Sequence, residues 1–485
     1  MVPRFTLSTF AFFSRDTRLR FPFRYGIATM TEVPHQFVRV DLAVDGQRSV
    51  GLTSEGLPPK WFTKNPATPF TGDLAEMRRV IQSAASLSAE IARQPVSYFE
   101  YWRELERQQA TWAKSQSVPP LLAHLGISLC ERAVLDGLCR ALNQPLWKLI
   151  RSNALGLRLG DIYPELAGSE PAAFLSASPL AQAFVRHTVG LADPLTPADT
   201  PETERVNDGL PQDLQSSIRA YGLRYFKVKL SGRLEMDIER LRSLCRLLAS
   251  ETQDQWQATL DGNEAFPGLP AFREYWEKLV LQVGNAQFSR HVLALEQPVH
   301  RDHALSDAAG RHLANWPEHP PIIIDESDGA VGDVPLALAL GYAGASHKNC
   351  KGIVKGLANA CLLAHRRRQG EPGLLTGEDL CNLGPVALLQ DLAVMALLGI
   401  PHIERNGHHY YRGLSLWPAD WQDAVLAKHP DLYRRHDHGF ACLHLTDGKI
   451  DLGSVNDSPF GLQPWLDPTA LNQQPAGVGR DCRDA

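Results

Sequence analysis

The sequence predicts an α/β barrel of the TIM type, accompanied by a mixed α+β region at the N-terminus. Three observations carry this. From about residue 182 onward, eight short apolar runs alternate with segments of helix length, as parallel strands joined by crossover helices do. The charged residues of those runs stand at their C-terminal ends, where such barrels carry their active sites. The chain has 485 residues, too many for one small core, so a large domain and a second one are expected.

The N-terminal region comes first. FVRVDLAVDG (37–46) alternates like a strand and ends in an Asp-Gly turn signal. Residues 74–93, 97–115 and 121–150 have helical spacing, the last closing on a Gln-Pro stop. The Gly-, Pro- and Ser-containing stretch 151–180 fits no single element, and 191–212 is a loop or insertion. The barrel runs follow at 182–191, 225–230, 256–261, 292–298, 321–327, 343–349, 373–379 and 401–406, with helices such as 236–251 and 354–368 between them. In the tail, FACLHLTDGKIDLG (440–453) suggests two short strands around an Asp-Gly turn, returning to the N-terminal domain, and residues after about 470 are expected to be disordered.

Composition bounds the function. The chain is 44% hydrophobic and 21% charged, with a net charge of -5, ordinary values for a globular protein. No long basic run suggests a nucleic-acid partner; the cluster Arg366-Arg367-Arg368 suits a solvated helix C-terminus. Eight cysteines without a CxxC pair fit free thiols in a reducing cytoplasm. The apolar patch in MVPRFTLSTFAFFSRD lacks the features of a signal peptide, and no window approaches the roughly 18 apolar residues of a membrane span. A cytoplasmic protein without a membrane partner is expected.

Alternate side chains of a barrel strand face the interior, and those facing the helices should be apolar. With Phe226, Val228 and Leu230 outward, Lys227 and Lys229 point inward. The same parity turns Thr259 and Asp261, Glu296, and Asp325 (but not Glu326) inward. Ser346 and Lys348 share one parity, and His402, Glu404 and Asn406 face in opposite Ile403. From Lys229 through Asp261, Glu296 and Asp325 to Lys348 the intervals are 32, 35, 29 and 23 residues, one strand-helix unit each, so these groups should form an arc round the barrel mouth.

Three converging carboxylates repel one another, and a hard divalent cation such as Mg²⁺, with Mn²⁺ as an alternative, relieves that repulsion. Strand-end acids paired with Arg or Lys are the plainer alternative. Two ammonium groups as near as Lys227 and Lys229 disfavour each other's charge, which would favour the free amine a base needs. The plainer alternative for the lysines is neutralisation of the acids. His402 and Glu404 could bind a cationic or polar group, or make local hydrogen bonds. The neighbouring His408 and His409 suit a loop role better than a shared metal.

Taken together, Lys227-Val228-Lys229, Asp261-Gly262-Asn263, Glu296-Gln297-Pro298, Asp325-Glu326-Ser327 and Lys348, in this order and spacing, resemble the enolase superfamily, with the muconate-lactonizing and mandelate-racemase types nearest. The helix LCERAVLDGLCRALNQPLWKLI (129–150) is similar to the family's helix before the barrel, with Asp136 and Pro145 at matching positions. The resemblance implies a modified (β/α)7β barrel over residues 151–439. It also implies an α+β capping domain over 1–150, completed by 440–470, with 471–485 as a tail. It implies that Asp261, Glu296 and Asp325 bind Mg²⁺ and that a proton is taken from the carbon next to a carboxylate, through an enediolate. Lys229 would be the base on one face, Lys348 the acid or base on the other, and Lys227 would tune Lys229 and touch the carboxylate. Asn263, Glu326, His402 and Glu404 would touch substrate or support those that do. The outcome would be racemisation or epimerisation, cycloisomerisation, or dehydration of a small carboxylic acid. Capping loops Arg24–His35 and Leu57–Thr63 would set substrate choice.

There are departures from the family pattern. The sixth strand is followed by Lys348-Asn349-Cys350-Lys351-Gly352-Ile353, which makes Lys351 a second candidate for the base there. Strand seven ends Thr376-Gly377-Glu378-Asp379, without the His-Asp dyad of mandelate racemases. Helix 387–400 is more apolar than a monomer surface needs, which suggests a homo-oligomer. Two rival readings stand beside this one: a Schiff-base lysine aldolase on the same barrel, which leaves the carboxylates unexplained, and a non-catalytic descendant that binds a small acid or a protein.

Overall fold

The structure, a computed structural model, describes residues 2–284 and 286–472. The N-terminal sheet contains β1 (Arg4–Tyr25), β2 (Ala28–Val44), β3 (Gln47–Gly56) and the short β4 (Val96–Ser97), in the order β3-β2-β1-β4. β2 and β3 turn at Asp45-Gly46, both with positive φ, as the Asp-Gly signal predicts. β1 lies before the strand signal found in the sequence. Its middle carries Phe10, Phe12 and Phe13 without strict alternation and stays partly exposed, so it leaves no period-2 trace.

Helices Phe70–Ile91, Tyr98–Ser115 and Pro120–Leu142 cover this sheet, near the predicted 74–93, 97–115 and 121–150. The last ends earlier than expected, at Asn143 in the left-handed conformation, and a separate helix, Leu146–Arg151, follows Pro145. Asp136 explains its place in the motif: it accepts from Leu52 N at 2.9 Å and pairs with Arg140 at 2.9 Å, tying helix to sheet. The approach is so close that a Cβ on Gly51 would lie 1.9 Å from Ala133 O.

Eight parallel strands then close into a barrel: β5 (Gln182–Val189), β6 (Tyr225–Lys229), β7 (Gln257–Asp261), β8 (Val292–Glu296), β9 (Ile322–Ile324), β10 (Gly344–Lys348), β11 (Leu374–Glu378) and β12 (His402–Glu404). β12 returns to β5 through Ile403 opposite Val185. Each of the eight falls in a run named from the sequence, and the crossovers carry helices, so the fold is the modified TIM barrel expected, flanked by α+β elements from both ends of the chain. The crossover from β5 to β6 holds the 191–212 segment, which forms 3-10 turns at Pro197–Asp199 and Glu202–Glu204 before the helix Leu214–Tyr221.

The tail departs from a single hairpin. β13 (Tyr433–Arg435) pairs with β14 (Ala441–Leu443), while β15 (Lys449–Asp451) pairs antiparallel with the start of β5. The Asp447-Gly448 turn exists, but the strands on its two sides have other partners. The tail then reaches the N-terminal helices, where Pro459 O accepts from Leu146 N at 2.8 Å and Leu462 O from Arg140 at 3.0 Å. The expected disorder after 470 falls mostly outside the described residues. Helix Val386–Leu398 is buried within the chain from Val386 to Leu397, which accounts for its apolarity without a second copy.

Candidate active site

Strand parity places the site. On β6, Phe226 and Val228 are buried against the helices and Lys227 and Lys229 face the barrel interior, both buried. Asp261 ends β7, Glu296 ends β8, Asp325 follows β9, Lys348 ends β10, Glu378 ends β11 and Glu404 ends β12. Gly377, next to Glu378, has no room for a side chain on the outer face, where a Cβ would lie 2.4 Å from Met395 Sδ. That packing turns Glu378 inward.

The ammonium of Lys227 sits among four carboxylates. It lies 2.8 Å from Glu296, 2.5 Å from Glu378, 3.0 Å from Glu404 and 3.1 Å from Asp261. Lys229 pairs with Asp261 at 2.6 Å. On the opposite wall, four strands on, Lys348 lies 2.8 Å from both oxygens of Asp325 and 2.6 Å from Glu378. Lys351 donates to the backbone carbonyls of Asp325 and Ser346 at 2.7 and 3.0 Å, and so braces Asp325. Arg186 on β5 holds the other oxygen of Glu378 at 2.9 Å.

The charges follow from these contacts. Burial works against the charge on Lys227, but Asp261, Glu296, Glu378 and Glu404 outweigh it and hold the ammonium well above the usual lysine range. At Lys227 four acids thus outweigh the one neighbouring cation. Lys348 is likewise held charged against burial by Asp325 and Glu378. Burial opposes ionisation of Glu378 and Asp325 too, yet the facing cations keep both carboxyls below the usual range. Glu296 goes the other way. Burial, and then the charge of Glu378, raise it well above the usual range. Burial and Asp325 push Glu326 up to about 8.

Carboxylate oxygens of Glu296, Asp325 and Glu378 all lie within 4.8 Å of one another. The second oxygen of Glu296 is buried with no hydrogen-bond partner, a free donor in a set of hard oxygen ligands. These residues fit a divalent cation such as Mg²⁺. Asp261 stands beside the set, engaged by Lys229, Lys227 and the backbone N of Asn263 at 2.8 Å.

A cavity of about 40 Å³ opens above these groups. Lys227, Lys229, Asn263, Asp325, Lys348 and Glu404 form its polar side, and Phe23, Tyr25, Met30, Trp61, Leu380 and Cys381 are among its other walls. Asn263 Oδ1 is buried without a partner. Trp61 lies over Lys348, with Nζ 5.2 Å from the ring centroid. Glu326, expected to face away from the interior, is buried near Asn263, its carboxyl 3.5 Å from the amide. His402 is not brought to the cavity; its ring stacks on Tyr225, 5.1 Å between centroids. His408 and His409 lie in the helix Gly407–Tyr410, buried beside His187.

Sequence reasoning missed Glu378 and Arg186, and reached Trp61 only through the loop Leu57–Thr63 that the family resemblance implies. Glu378 was within reach, because Thr376 and Glu378 share a parity; the glycine between them removed the apolar marker that identified the other strands.

No known protein family matches the sequence, and no curated protein does. Solved structures do match in fold. A muconate lactonizing enzyme from Mucobacterium Smegmatis, complexed with muconolactone, is 17% identical with a TM-score of 0.56, over 96% of this chain and 98% of that one. A mandelate racemase/muconate lactonizing protein from Herpetosiphon aurantiacus is 17% identical with a TM-score of 0.54, over 93% and 97%. A dipeptide epimerase from Enterococcus faecalis V583, complexed with Mg and the dipeptide L-Leu-L-Tyr, is 15% identical with a TM-score of 0.55, over 85% and 95%. At these identities the likeness is one of fold.

Proposed function

We propose that this chain is an enzyme of the enolase superfamily that removes a proton from the carbon next to a carboxylate, with a divalent cation such as Mg²⁺ as cofactor. The observation that carries the reading is the convergence of Glu296, Asp325 and Glu378 between two lysine-bearing walls. Those three would hold the cation, with Asp261 beside them as a further strand-end acid. When bound, the cation supplies positive charge against the negative charge that grows on the substrate carboxylate.

The chain's own groups divide the proton work. Lys348 is kept charged by Asp325 and Glu378 and is set to donate a proton. Lys229 carries one ion pair, to Asp261, where Lys227 carries four, so Lys229 is the lysine of the pair better placed to accept one. Lys227 acts as a fixed positive charge beneath the site. Lysines on opposite walls suit transfer of a proton from one face of the substrate to the other, as in racemisation or epimerisation; a dehydration or cycloisomerisation would use one as base and the other as acid or cation. A Schiff-base role fits Lys227 poorly, since it needs a free amine.

The test is exchange of the α-proton in deuterated water across a panel of small carboxylic acids. Wild type with Mg²⁺ should incorporate deuterium, and Lys229→Ala and Lys348→Ala should each lose on the order of 10²–10⁴ in rate. Exchange and turnover at wild-type rates in both variants, with cation binding intact, would refute the assignment.

A further inference from the structure

Resting on the reading of Glu296, Asp325 and Glu378 as cation ligands, we infer that Arg186 is a positioning residue of that site: it fixes the carboxylate of Glu378 so that this side chain can join the other two around one ion.

Strand parity puts Arg186 where a barrel has no ordinary use for it. On β5, Ala183, Val185 and Val189 are buried on the helix side, so Phe184, Arg186 and Thr188 face the interior. Thr188 confirms the direction by donating to Glu404. Barrel interiors are filled mostly by branched apolar side chains. A guanidinium there loses its water, which is tolerable only where it meets an acid. Arg186 is 0% exposed and meets one. Its side-chain bonds both come from Nη2, to Glu378 Oε1 at 2.9 Å and to Gly377 O at 3.1 Å, while Nε and Nη1 have no hydrogen-bond partner. All of its bonding thus goes to the end of β11, which it reaches past the intervening β12.

Glu378 needs such a hold more than its partners do. Glu296 and Asp325 stand at the ends of neighbouring strands, β8 and β9, whereas Glu378 comes from β11, with Lys348 on β10 between. Its Oε2 lies 2.5 Å from Lys227 and 2.6 Å from Lys348. Without Arg186, both oxygens would be free to turn toward those two ammonium groups. With Oε1 held from the β5 side, only Oε2 faces them, and the carboxylate plane is fixed. So is the third corner of the trio, whose oxygens lie within 4.8 Å of one another. Arginine suits the task because a guanidinium keeps its proton in a protein. The hold therefore persists whichever lysine gives its proton up.

The sign of one effect separates positioning from plain neutralisation. Like charges repel, so if Arg186 served only as a counter-charge, its removal would tighten the binding of a divalent cation. If it positions Glu378, its removal loosens that binding. Groups that orient a metal ligand from behind are typically worth roughly ten- to a hundredfold in affinity.

The test is Mn²⁺ binding to the full chain, read by electron paramagnetic resonance of the free ion, with circular dichroism confirming the fold of each variant. Arg186→Met should bind roughly ten- to a hundredfold more weakly than wild type. Arg186→Lys, whose ammonium can make both bonds that Nη2 makes, should recover most of the loss. In a Glu378→Gln background, Arg186→Met should cause no further weakening, since its effect passes through the carboxylate. Unchanged or tighter binding by a folded Arg186→Met protein would overturn the inference. So would an Arg186→Lys protein as weak as Arg186→Met, or further weakening in the Glu378→Gln background. That last comparison decides the matter even where Arg186→Met alone does not fold, because the double variant buries no unpaired carboxylate. A wild type that binds no Mn²⁺ would end the cation reading and the inference with it. Weaker binding in Glu378→Gln but not in Arg186→Met would leave that reading standing and overturn the inference alone.

Discussion

Replacing Arg301 with alanine should release the loop that carries Trp61. Arg301 bonds Glu264 through Nε and Nη2 at 2.7 and 2.8 Å and the carbonyls of Phe62 and Trp61 at 3.0 and 2.9 Å. Glu264 is 1% exposed at its side chain and sits at positive φ, a strained conformation for a non-glycine residue. Alanine would leave a buried carboxylate with Lys64, 3.5 Å away, and the backbone N of residue 301, 2.9 Å away, and would take the Arg301 donor from two carbonyls. Breaking a buried pair typically costs about 3–5 kcal/mol. Lys64 remains, so the lower end, about 3 kcal/mol, is expected, which corresponds to roughly a hundredfold in a local opening equilibrium. Hydrogen exchange read by mass spectrometry over residues 57–64 should speed up by about that factor, with the barrel peptides unchanged. Arg273→Ala serves as a control, since its pair with Glu277 is exposed and worth well under 1 kcal/mol. If exchange over 57–64 in a folded Arg301→Ala protein matches wild type, the loop is held by something else and the reasoning fails.

Three further outcomes are expected. Glu378→Gln should weaken Mn²⁺ binding, measured by electron paramagnetic resonance of the free ion, at least as much as Asp261→Asn does, because Glu378 belongs to the close-set trio and Asp261 stands beside it; the reverse order would place the cation elsewhere. His35 is lowered to about 4 by burial, and its Nε2 accepts from Leu383 N at 3.0 Å, which requires the neutral ring. Its folded-state pKa lies below the unfolded value near 6.5, so the stability it contributes is present above that value and is lost as pH falls toward 4, by up to about 3 kcal/mol; urea midpoints from pH 7 to 4 should fall more steeply for wild type than for His35→Gln. Gly51→Ala should destabilise the N-terminal sheet by several kcal/mol, since the new Cβ meets Ala133 O at 1.9 Å, and a thermal unfolding midpoint equal to wild type would contradict that packing.

Much of the barrel is legible in the sequence because each strand is buried on its outer face and carries its chemistry inward at one end. Parity alone therefore locates Lys229, Asp261, Glu296, Asp325 and Lys348 at the mouth. Where the outer face has no bulky residue, as at Gly377, the same rule gives no marker and Glu378 goes unseen. β1 escapes because its partly exposed middle relaxes the alternation that period-2 reasoning needs. The Trp61 loop is reached only through the family resemblance and not through the residue pattern. It is fixed by Arg301 and Glu264, about 200 residues or more along the chain, and local pattern holds no trace of such a contact. His402 shows the limit of parity itself: it shares a face with Glu404 but stands one strand-step lower, where it meets Tyr225 instead of the cavity.

The inventory of charge bears on why a cation suits this site. Five carboxylates, Asp261, Glu296, Asp325, Glu378 and Glu404, face five cations, Arg186, Lys227, Lys229, Lys348 and Lys351. With all five acids ionised, which for Glu296 means giving up the proton that burial and Glu378 favour, such a set is neutral with every lysine charged and leaves no free amine to act as base. On the proposed reading, a bound divalent cation and a substrate carboxylate would together add one net positive charge. Neutrality is then restored if one lysine gives up its proton, and Lys229, with its single ion pair, is the least costly to discharge. Were Lys229 then to take the α-proton, as proposed, it would gain the positive charge that the substrate gains as negative charge, and the total would stay at zero. The low-dielectric barrel interior thus sees charge moved over a short distance rather than created, the condition under which preorganised groups stabilise a transition state most.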